Sequence, residues 1–316
     1  MMEIEKNGRI VSKQRKKIRT DALSIGAEII FNVIIALFSL VCIVPFLFVI
    51  IISLTDETTL AENGFTFFPK KMSLYAYEYV FKSSDALVSS FSVSVFVTVM
   101  GTLIALVITS MYAYVLFRKD YKYKKFFTFI IAFTMLFGGG LVPFYITMTQ
   151  FLHLRNSLWA LIIPSCLSAF HVIVLRTFFT TTVPESLIDS AMMDGSGEFR
   201  TFIQIVLPIS LPGIATIGLF TSLGYWNEWF NALLFIDKKN LMPLQYLLIE
   251  IQNKVDFLTQ FSKQMNAGEI SAVTSTLPRE SMKMVLVVIS VLPISCAYPF
   301  FQRYFIQGLT IGAVKG

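Results

Sequence analysis

Charged residues are scarce in this chain. Lysine, arginine, aspartate and glutamate together make up 15% of its 316 residues, whereas 55% are hydrophobic. A soluble domain normally carries about 25% charged residues, which cover its surface. The deficit argues against a soluble enzyme and, despite a net charge of +6, against a nucleic-acid-binding protein. The 31 phenylalanines instead indicate a chain whose solvent is lipid.

Histidine and cysteine are also rare. The two histidines, His153 and His171, have no acidic or thiol partner at a metal-ligand spacing. The three cysteines, Cys42, Cys166 and Cys296, all fall within long apolar runs, so we expect neither a disulfide nor a metal site. The sequence has no Ser-His-Asp arrangement, no His-Glu-x-x-His helix and no phosphate-binding glycine loop. We therefore expect no enzymatic activity and no cofactor in this chain.

Long apolar runs, in contrast, are abundant. A bilayer core takes about 20 apolar helical residues to cross, and six runs are long enough to do so. They lie at 29–54, 86–117, 126–150, 158–179, 207–236 and 284–305. The sequence therefore predicts an all-α, polytopic membrane protein with six transmembrane helices. The first run is too long for a signal-peptide core and lacks a small-residue cleavage site, so we expect it to be retained.

The basic residues predict the orientation. Residues 1–28 contain seven lysines and arginines, and the short loop 118–125, on the same side if six helices alternate, contains five. The short loop 150–157 on the other side contains one. Because cytoplasmic loops carry the excess of basic residues, both termini are predicted to be cytoplasmic.

This orientation divides the chain into a basic cytoplasmic N-terminus, 1–28, and a six-helix transmembrane domain, 29–316. The long segments 55–85 and 237–283 are then extracellular. We expect them to meet a partner protein, although passive surface elaboration explains part of their length equally well.

The predicted cytoplasmic segment 182–208, between the fourth and fifth runs, has a distinctive pattern. Thr182 and Glu185 have the spacing of a capping box, and Pro184 suits the first turn of a helix. Gly195 can adopt the left-handed conformation that ends a helix, and Ser196 can cap a second one. Apolar residues recur at helical spacing on both sides of this glycine: Leu187, Ile188, Ala191 and Met192, then Phe199, Phe202, Ile203 and Val206. The pattern predicts two short amphipathic helices joined at Gly195.

The same segment is acidic. Against Arg200 it carries four carboxylates, those of Glu185, Asp189, Asp194 and Glu198. A pair of helices lying on the membrane is one interpretation, but negative charge suits an anionic leaflet poorly. Docking into a basic cleft of a partner protein is the better physical account.

These residues carry a family resemblance. The run Asp189-Ser-Ala-x-x-Asp194-Gly195, followed by Ile205-x-Leu207-Pro208-x-x-x-Pro212, is similar to the EAA loop of binding-protein-dependent ABC importer permeases. The chain departs from that pattern at Asp189, where glutamate is usual, and at Ser190, which replaces the first alanine. In the family this loop forms the coupling helices that seat in a groove on each ATPase subunit.

Other parts of the chain agree with that resemblance. The ending 307–316 resembles the C-terminal tail of the sugar-permease branch that includes the smaller subunit of the maltose permease. The motifs at 137–145, 175–179 and 225–232 resemble a narrower group of permeases for complex oligosaccharides, often labelled aldouronate, polysaccharide or lipoprotein transporters.

The resemblance implies a type I ABC importer permease fold in a bacterial cell membrane. It implies a second homologous permease as heterodimer partner, an ABC ATPase dimer that binds ATP and magnesium, an extracellular solute-binding protein and an oligosaccharide substrate, uronate-containing glycans included. It also implies ATPase coupling through six residues: Asp189, Ala191, Asp194, Gly195, Leu207 and Pro208. An ABC importer of a non-sugar solute is the alternative. An ion-coupled secondary transporter is disfavoured, because the predicted helices contain one off-centre carboxylate and no evident repeat.

That carboxylate belongs to Glu228, the only acidic residue deep in a predicted helix. An intramembrane carboxylate is a candidate functional site, and aromatic and amide groups around it suit the C–H faces and hydroxyls of a sugar. The candidate substrate path comprises Tyr225, Trp226, Asn227, Glu228, Trp229 and Asn231. Structural pairing of Glu228 with a neighbouring helix explains its presence equally well.

Overall fold

The computed structural model of the protein describes residues 25–82, 84–264 and 279–313. Within these ranges the regular structure is helical, apart from one isolated antiparallel bridge between Thr55 and Met72. The prediction of an all-α fold is thus confirmed. The basic residues before residue 25, part of the outer segment at 265–278 and the last three residues of the tail lie outside the described residues.

The helices are numbered in chain order. They are α1 (Ile25–Ser53), α2 (Glu57–Asn63), α3 (Tyr75–Phe81), α4 (Ser84–Phe117), α5 (Lys124–Leu136), α6 (Leu141–Ile146), α7 (Trp159–Ile162), α8 (Ala169–Thr182), α9 (Glu185–Met193), α10 (Glu198–Thr201), α11 (Leu207–Ile209), α12 (Leu211–Trp226), α13 (Phe230–Phe235), α14 (Leu244–Gln264) and α15 (Arg279–Ala313). Short π-helical turns at Thr147–Phe151 and Phe202–Val206 extend α6 and join α10 to α11.

Among the described residues, two helices are long and apolar enough to cross a membrane by themselves, Gly26–Ser53 and Asp85–Phe117. They coincide with the first two apolar runs. The next three runs fold as bent pairs: Lys124–Leu136 with Leu141–Phe151 at 115°, Trp159–Ser165 with Ala169–Thr182 at 51°, and Glu198–Ile209 with Leu211–Trp226 at 81°. The sixth run lies within α15. The number of spans and their orientation remain predictions.

The bends have local chemical causes. Between α5 and α6 the chain passes through three successive glycines, and Gly140 adopts a left-handed φ of 81°. Between α11 and α12 it turns at Ser210, flanked by Pro208 and Pro212. Each proline lacks an N–H donor and crowds the preceding helical turn, so helix propagation is weakest there. Hydropathy registers none of this, because both sides of each break are apolar.

The chain divides into two units, residues 1–48 and 49–316. The described part of the first unit is α1 up to Phe48, whose apolar side chains are largely exposed, with Phe38 at 71%. Such a surface suits a helix surrounded by lipid.

The hydrophobic cores lie within the second unit. One core joins the ends of α4 and α8 to the segment 182–208 and includes Tyr114, Leu116, Phe179, Ile188, Phe202 and Val206. A second surrounds Trp226 where α3, α14 and α15 meet, and a third surrounds Tyr225 where α4, α7 and α12 meet. The helix α4 contributes residues to these three cores, so it is the central helix of this unit.

Candidate coupling site and candidate substrate path

The segment 182–208 begins with α9. Thr182 is the last residue of α8, and Pro184 is the N-cap residue of α9 with ψ of 134° and no side-chain capping bond. The predicted capping box therefore does not form, because Thr182 is already committed to the preceding helix. Glu185 instead forms an ion pair with Lys119 in the loop after α4.

Gly195 ends α9 as predicted. Its φ is 81°, its N–H donates to the carbonyl of Met192 at 3.0 Å, and the N–H of Ser196 donates to the carbonyl of Ala191 at 2.9 Å. These two bonds form a Schellman motif, which satisfies the last carbonyls of the helix and turns the chain sharply. Gly195 therefore forms the turn, or joint, between α9 and α10.

The second half of the segment departs from the prediction in two ways. Gly197, rather than Ser196, is the N-cap residue of α10, and the Ser196 hydroxyl accepts a bond from buried Thr201 at 3.0 Å. Leu207 and Pro208 belong to α11, on the near side of the 81° bend. The run 207–236 is therefore not one continuous helix: the long helix begins at Leu211, because the two prolines favour a turn at Ser210.

The segment presents one face to the core and another to its surroundings. Three of the eight predicted apolar residues, Ile188, Phe202 and Val206, are buried. Four others are exposed: Phe199 at 66%, Leu187, Met192 and Ile203. Met193 is also exposed. This apolar surface on short helices is typical of a docking site.

Charge accompanies this exposed apolar surface. Asp189 and Asp194 are exposed, and neither forms an ion pair or a side-chain hydrogen bond with another of the described residues. Ala191 is partly exposed between them. Four of the predicted coupling residues thus lie close together around the turn at Gly195: Asp189, Ala191, Asp194 and Gly195. The other two, Leu207 and Pro208, lie at the far end of the segment.

Residues outside the predicted set anchor this segment. Nη2 of Arg118 lies 3.1 Å from Oε1 of Glu198 and 3.2 Å from the sulfur of Met192. The hydroxyl of Tyr114 donates to Oε2 of Glu198. From the sequence, Arg118 was only one of the basic residues that predict the membrane orientation, and Glu198 was only one of the four carboxylates of the segment. No local pattern links residues so far apart in the chain.

The predicted substrate path contains residues that are enclosed within the fold. Tyr225 is 2% exposed, and its hydroxyl donates to the carbonyl of Ile162 at 2.8 Å. Trp226 is 6% exposed and donates from Nε1 to the carbonyl of Ser290 at 3.1 Å. Asn231 is also buried. In this conformation Tyr225 and Trp226 therefore use their polar atoms to bind neighbouring backbone.

The break after α12 holds the remaining members of that set. The helix α12 ends at Trp226, and Glu228 lies in the non-helical stretch before α13, where Oε1 accepts the N–H of Asn231 at 2.8 Å. The carboxylate thus satisfies a backbone donor at the start of α13. Asn227 and Trp229 are exposed. A role in substrate contact remains a prediction for these residues.

Trp226 also lines a groove of about 470 Å³ between α4, α12 and α15. The hydroxyls of Thr98 and Thr102 in its wall are buried and have no hydrogen-bond partner among the described residues. The rest of the lining is mainly apolar, and the hydroxyl of Ser222 donates to the carbonyl of Leu219 within α12. The chemistry of the groove therefore suits hydrocarbon better than the hydroxyls of a sugar.

Hydrogen bonds among Arg155, Asn156 and Asp237 join two predicted outer loops, and these three residues are called the clip. Asp237 Oδ2 accepts bonds from Arg155 Nε and Asn156 Nδ2, both at 3.1 Å, and Asn156 Oδ1 accepts the N–H of Asp237 at 2.7 Å. Asn156 has a left-handed φ of 59°. The hydrogen bonds from Arg155 and Asn156 lower the pKa of Asp237. Sequence analysis did not identify this clip.

Apolar helices interrupted by bends, together with an acidic segment that turns at a glycine, are features of a membrane transport subunit. Residues 123–311 match the family described as the binding-protein-dependent transport system inner membrane component. The chain belongs to this family, whose members carry the EAA motif and work with a permease partner, an ATPase and a solute-binding protein. It is a permease subunit of an ABC importer in the bacterial cytoplasmic membrane, as the sequence resemblance implied.

Individual relatives agree with this assignment. The polygalacturonan/rhamnogalacturonan transport system permease protein YtcP of Bacillus subtilis (strain 168) is 38% identical over 280 residues, which cover 89% of this chain and 95% of the relative. Protein LplC of the same organism is 37% identical over 87% of this chain and 90% of its own length. A crystal structure of a bacterial ABC transporter involved in the import of the acidic polysaccharide alginate contains a chain with a TM-score of 0.72 and 26% identity, covering 88% of this chain and 96% of that one.

Proposed function

We propose that this chain is one permease of a heterodimeric ABC importer that moves a uronate-containing oligosaccharide into the cell. The observation that carries the transport role is the segment 182–208, whose exposed surface combines apolar side chains with two carboxylates that form no ion pair within the described residues. The acidic nature of the substrate is supported by the names of two relatives, which refer to polygalacturonan and to alginate.

In this proposal ATP and magnesium bind to the partner ATPase subunits, and no cofactor resides in this chain. Closure of the ATPase dimer displaces the segment 182–208, and the transmembrane helices follow, so the cavity changes from inward-facing to outward-facing. A loose joint would absorb the displacement. The Schellman motif at Gly195 and the bend after Pro208 support rigid transmission because they leave few free backbone torsions between the docking surface and α12.

Asp189 and Asp194 orient the segment in a basic groove of the ATPase. An exposed ion pair contributes only about 0.2–1 kcal/mol, so most of the docking energy comes from the apolar residues around it. Ala191 leaves space for close approach at the centre of α9. Leu207 and Pro208 hold the far end of the segment against the bend into α12.

Substrate contact is proposed for Asn227, Glu228 and Trp229, which lie in the break between α12 and α13. The break is held in place by three buried residues: Tyr225, Trp226 and Asn231. Glu228→Gln separates the two roles of the carboxylate, because glutamine retains an acceptor for the Asn231 N–H and loses only the charge. Uptake with an unchanged KM and an unchanged substrate range would remove Glu228 from the substrate path.

The experiment that tests the whole proposal is reconstitution of the chain in liposomes with its partner permease, ATPase dimer and solute-binding protein. We expect ATP-dependent uptake of oligogalacturonate that exceeds uptake of a neutral maltooligosaccharide of equal length. Preference for the neutral sugar would contradict the acidic substrate. Uptake of an amino acid alone would contradict a carbohydrate substrate, and uptake driven by a proton gradient without ATP would contradict the ABC mechanism.

A further inference from the structure

Arg118 lies immediately after α4, and its side chain is only 9% exposed. An enclosed guanidinium is stable only with a counter-charge or well-placed hydrogen-bond acceptors. Its closest carboxylate is that of Glu198, at 3.1 Å from Nη2. Asp120 is 3.5 Å away and 85% exposed, so water competes for it. Glu198 is therefore the main counter-charge of Arg118.

The second oxygen of the same carboxylate is also bound by α4. Tyr114, one helical turn before Arg118, donates its hydroxyl to Oε2 of Glu198 at 2.5 Å. Its ring lies against Phe202 with a centroid distance of 5.0 Å. Glu198 and Phe202 are four residues apart, so they lie on the same face of the second half of the segment. A polar and an aromatic contact therefore hold that face against the end of α4.

The neighbouring ion pair has a different character. Lys119 and Glu185 join the same loop to α9, but their side chains are 72% and 47% exposed. Solvent and salt screen such a pair, which contributes little. The two carboxylates are similarly exposed, Glu198 at 52% and Glu185 at 47%, whereas Arg118 is 9% exposed and Lys119 72%. Both pairs join the loop after α4 to the segment 182–208, so they offer a comparison in which the enclosure of the cation differs.

We infer that Arg118 and Tyr114 are positioning residues that fix Glu198, and with it the segment 182–208, to α4. Since α4 packs against both α8 and α12, a displacement of the segment then moves the central helix of the domain as well as α12. Both side chains are buried, so the inference assigns neither of them a contact with the ATPase. This inference rests on the proposed coupling role of the segment.

The test uses the full complex in liposomes, with Glu198→Gln and Tyr114→Phe in this chain. Glutamine removes the counter-charge of Arg118, and phenylalanine removes one hydroxyl while keeping the ring contact with Phe202. Lys119→Gln is the matched control, because it breaks the neighbouring pair, whose cation is 72% exposed, without changing the segment 182–208. The readouts are the amount of ATPase that copurifies with the permeases and the number of oligogalacturonate molecules transported per ATP hydrolysed.

We expect normal ATPase content in all variants and a several-fold lower transport ratio in Glu198→Gln and Tyr114→Phe, with the control unchanged. A wild-type ratio in both variants would overturn the inference. Loss of copurifying ATPase would overturn it too, because Glu198 would then belong to the docking surface. Tyr114→Phe decides the question if Glu198→Gln fails to accumulate in the membrane. Failure of the wild-type complex to transport would instead contradict the proposed function.

Discussion

The ring of Tyr225 lies directly against Gly101, at the point where α12 crosses α4. A Cβ atom on Gly101 would stand 2.6 Å from Cζ of that ring. The hydroxyl of Tyr225 is bonded to the carbonyl of Ile162 at 2.8 Å, so the ring cannot turn away without losing this bond. The side chain of Tyr225 thus connects three helices, because its ring packs on Gly101 of α4 and its hydroxyl binds Ile162 of α7.

Gly101→Ala is therefore expected to lower the stability of the protein. The added methyl group overpacks a buried site whose neighbour is held in place, at a cost of about 1–3 kcal/mol. Thermal unfolding in detergent measures the effect. Gly224→Ala is the matched control, because Gly224 lies in α12 with nothing within 4 Å of its Cβ position. Equal unfolding temperatures for the two variants would contradict the close contact at Gly101.

Gly195→Val is expected to reduce ATP-driven transport without loss of the transmembrane fold. Valine at a left-handed φ of 81° is strained by roughly 1–2 kcal/mol, so the Schellman motif opens. Gly195→Asn should have a smaller effect, since asparagine tolerates this conformation. The measurement is ATPase activity stimulated by the solute-binding protein.

Gly197→Ala provides the control for that joint. Gly197 has an ordinary φ of −75°, and its Cβ position has nothing within 4 Å. We expect normal stimulation. If Gly195→Val and Gly197→Ala behave alike, the conformation at Gly195 is not what the segment requires.

The clip at Asp237 predicts a pH dependence of stability. Hydrogen bonds from Arg155 and Asn156 lower the pKa of Asp237 below its ordinary value of 3.8. The stabilisation is therefore fully present above that value and is lost as the pH falls through the lowered pKa. Asp237→Asn removes the charge at every pH. We expect its unfolding temperature to be below that of the wild type at neutral pH and to converge with it in acid.

Glu62→Gln is the comparison for this titration, because Glu62 is an exposed acid on α2. Its unfolding temperature should follow that of the wild type at each pH. A gap between wild type and Asp237→Asn that persists unchanged in strong acid would show that the Asp237 carboxylate is not responsible.

The predicted orientation in the membrane determines which introduced cysteines a membrane-impermeant reagent can label from outside the cell. After replacement of Cys42, Cys166 and Cys296 by serine, single cysteines are introduced at Lys125, Ser186 and Lys238, all of which are exposed. A membrane-impermeant maleimide added to intact cells should label position 238 only. Positions 125 and 186 should react after permeabilisation. Labelling of position 186 in intact cells would contradict a cytoplasmic location for the coupling segment.

The sequence predicted only some of the positions at which helices end or bend. The left-handed joint at Gly195 was predictable, because glycine following an amphipathic run is a local pattern. Pro208 and Pro212 are also local signals of an interrupted helix, but hydropathy treats the apolar run around them as continuous, so neither the angle of the bend at Ser210 nor the first residue of α12 was predictable. The same limitation placed Glu228 deep in a helix, although α12 ends at Trp226.

Composition and short-range pattern by themselves determined that this protein lives in a membrane, is helical and carries an EAA-like segment, because those properties belong to contiguous stretches of chain. Only the tertiary structure decided which residues hold that segment and which aromatic side chains are enclosed. Arg118 and Glu198 meet although several helices separate them in the chain, and the same is true of Gly101 and Tyr225. Their pairing depends on how the helices pack, and each sequence window alone is compatible with many partners.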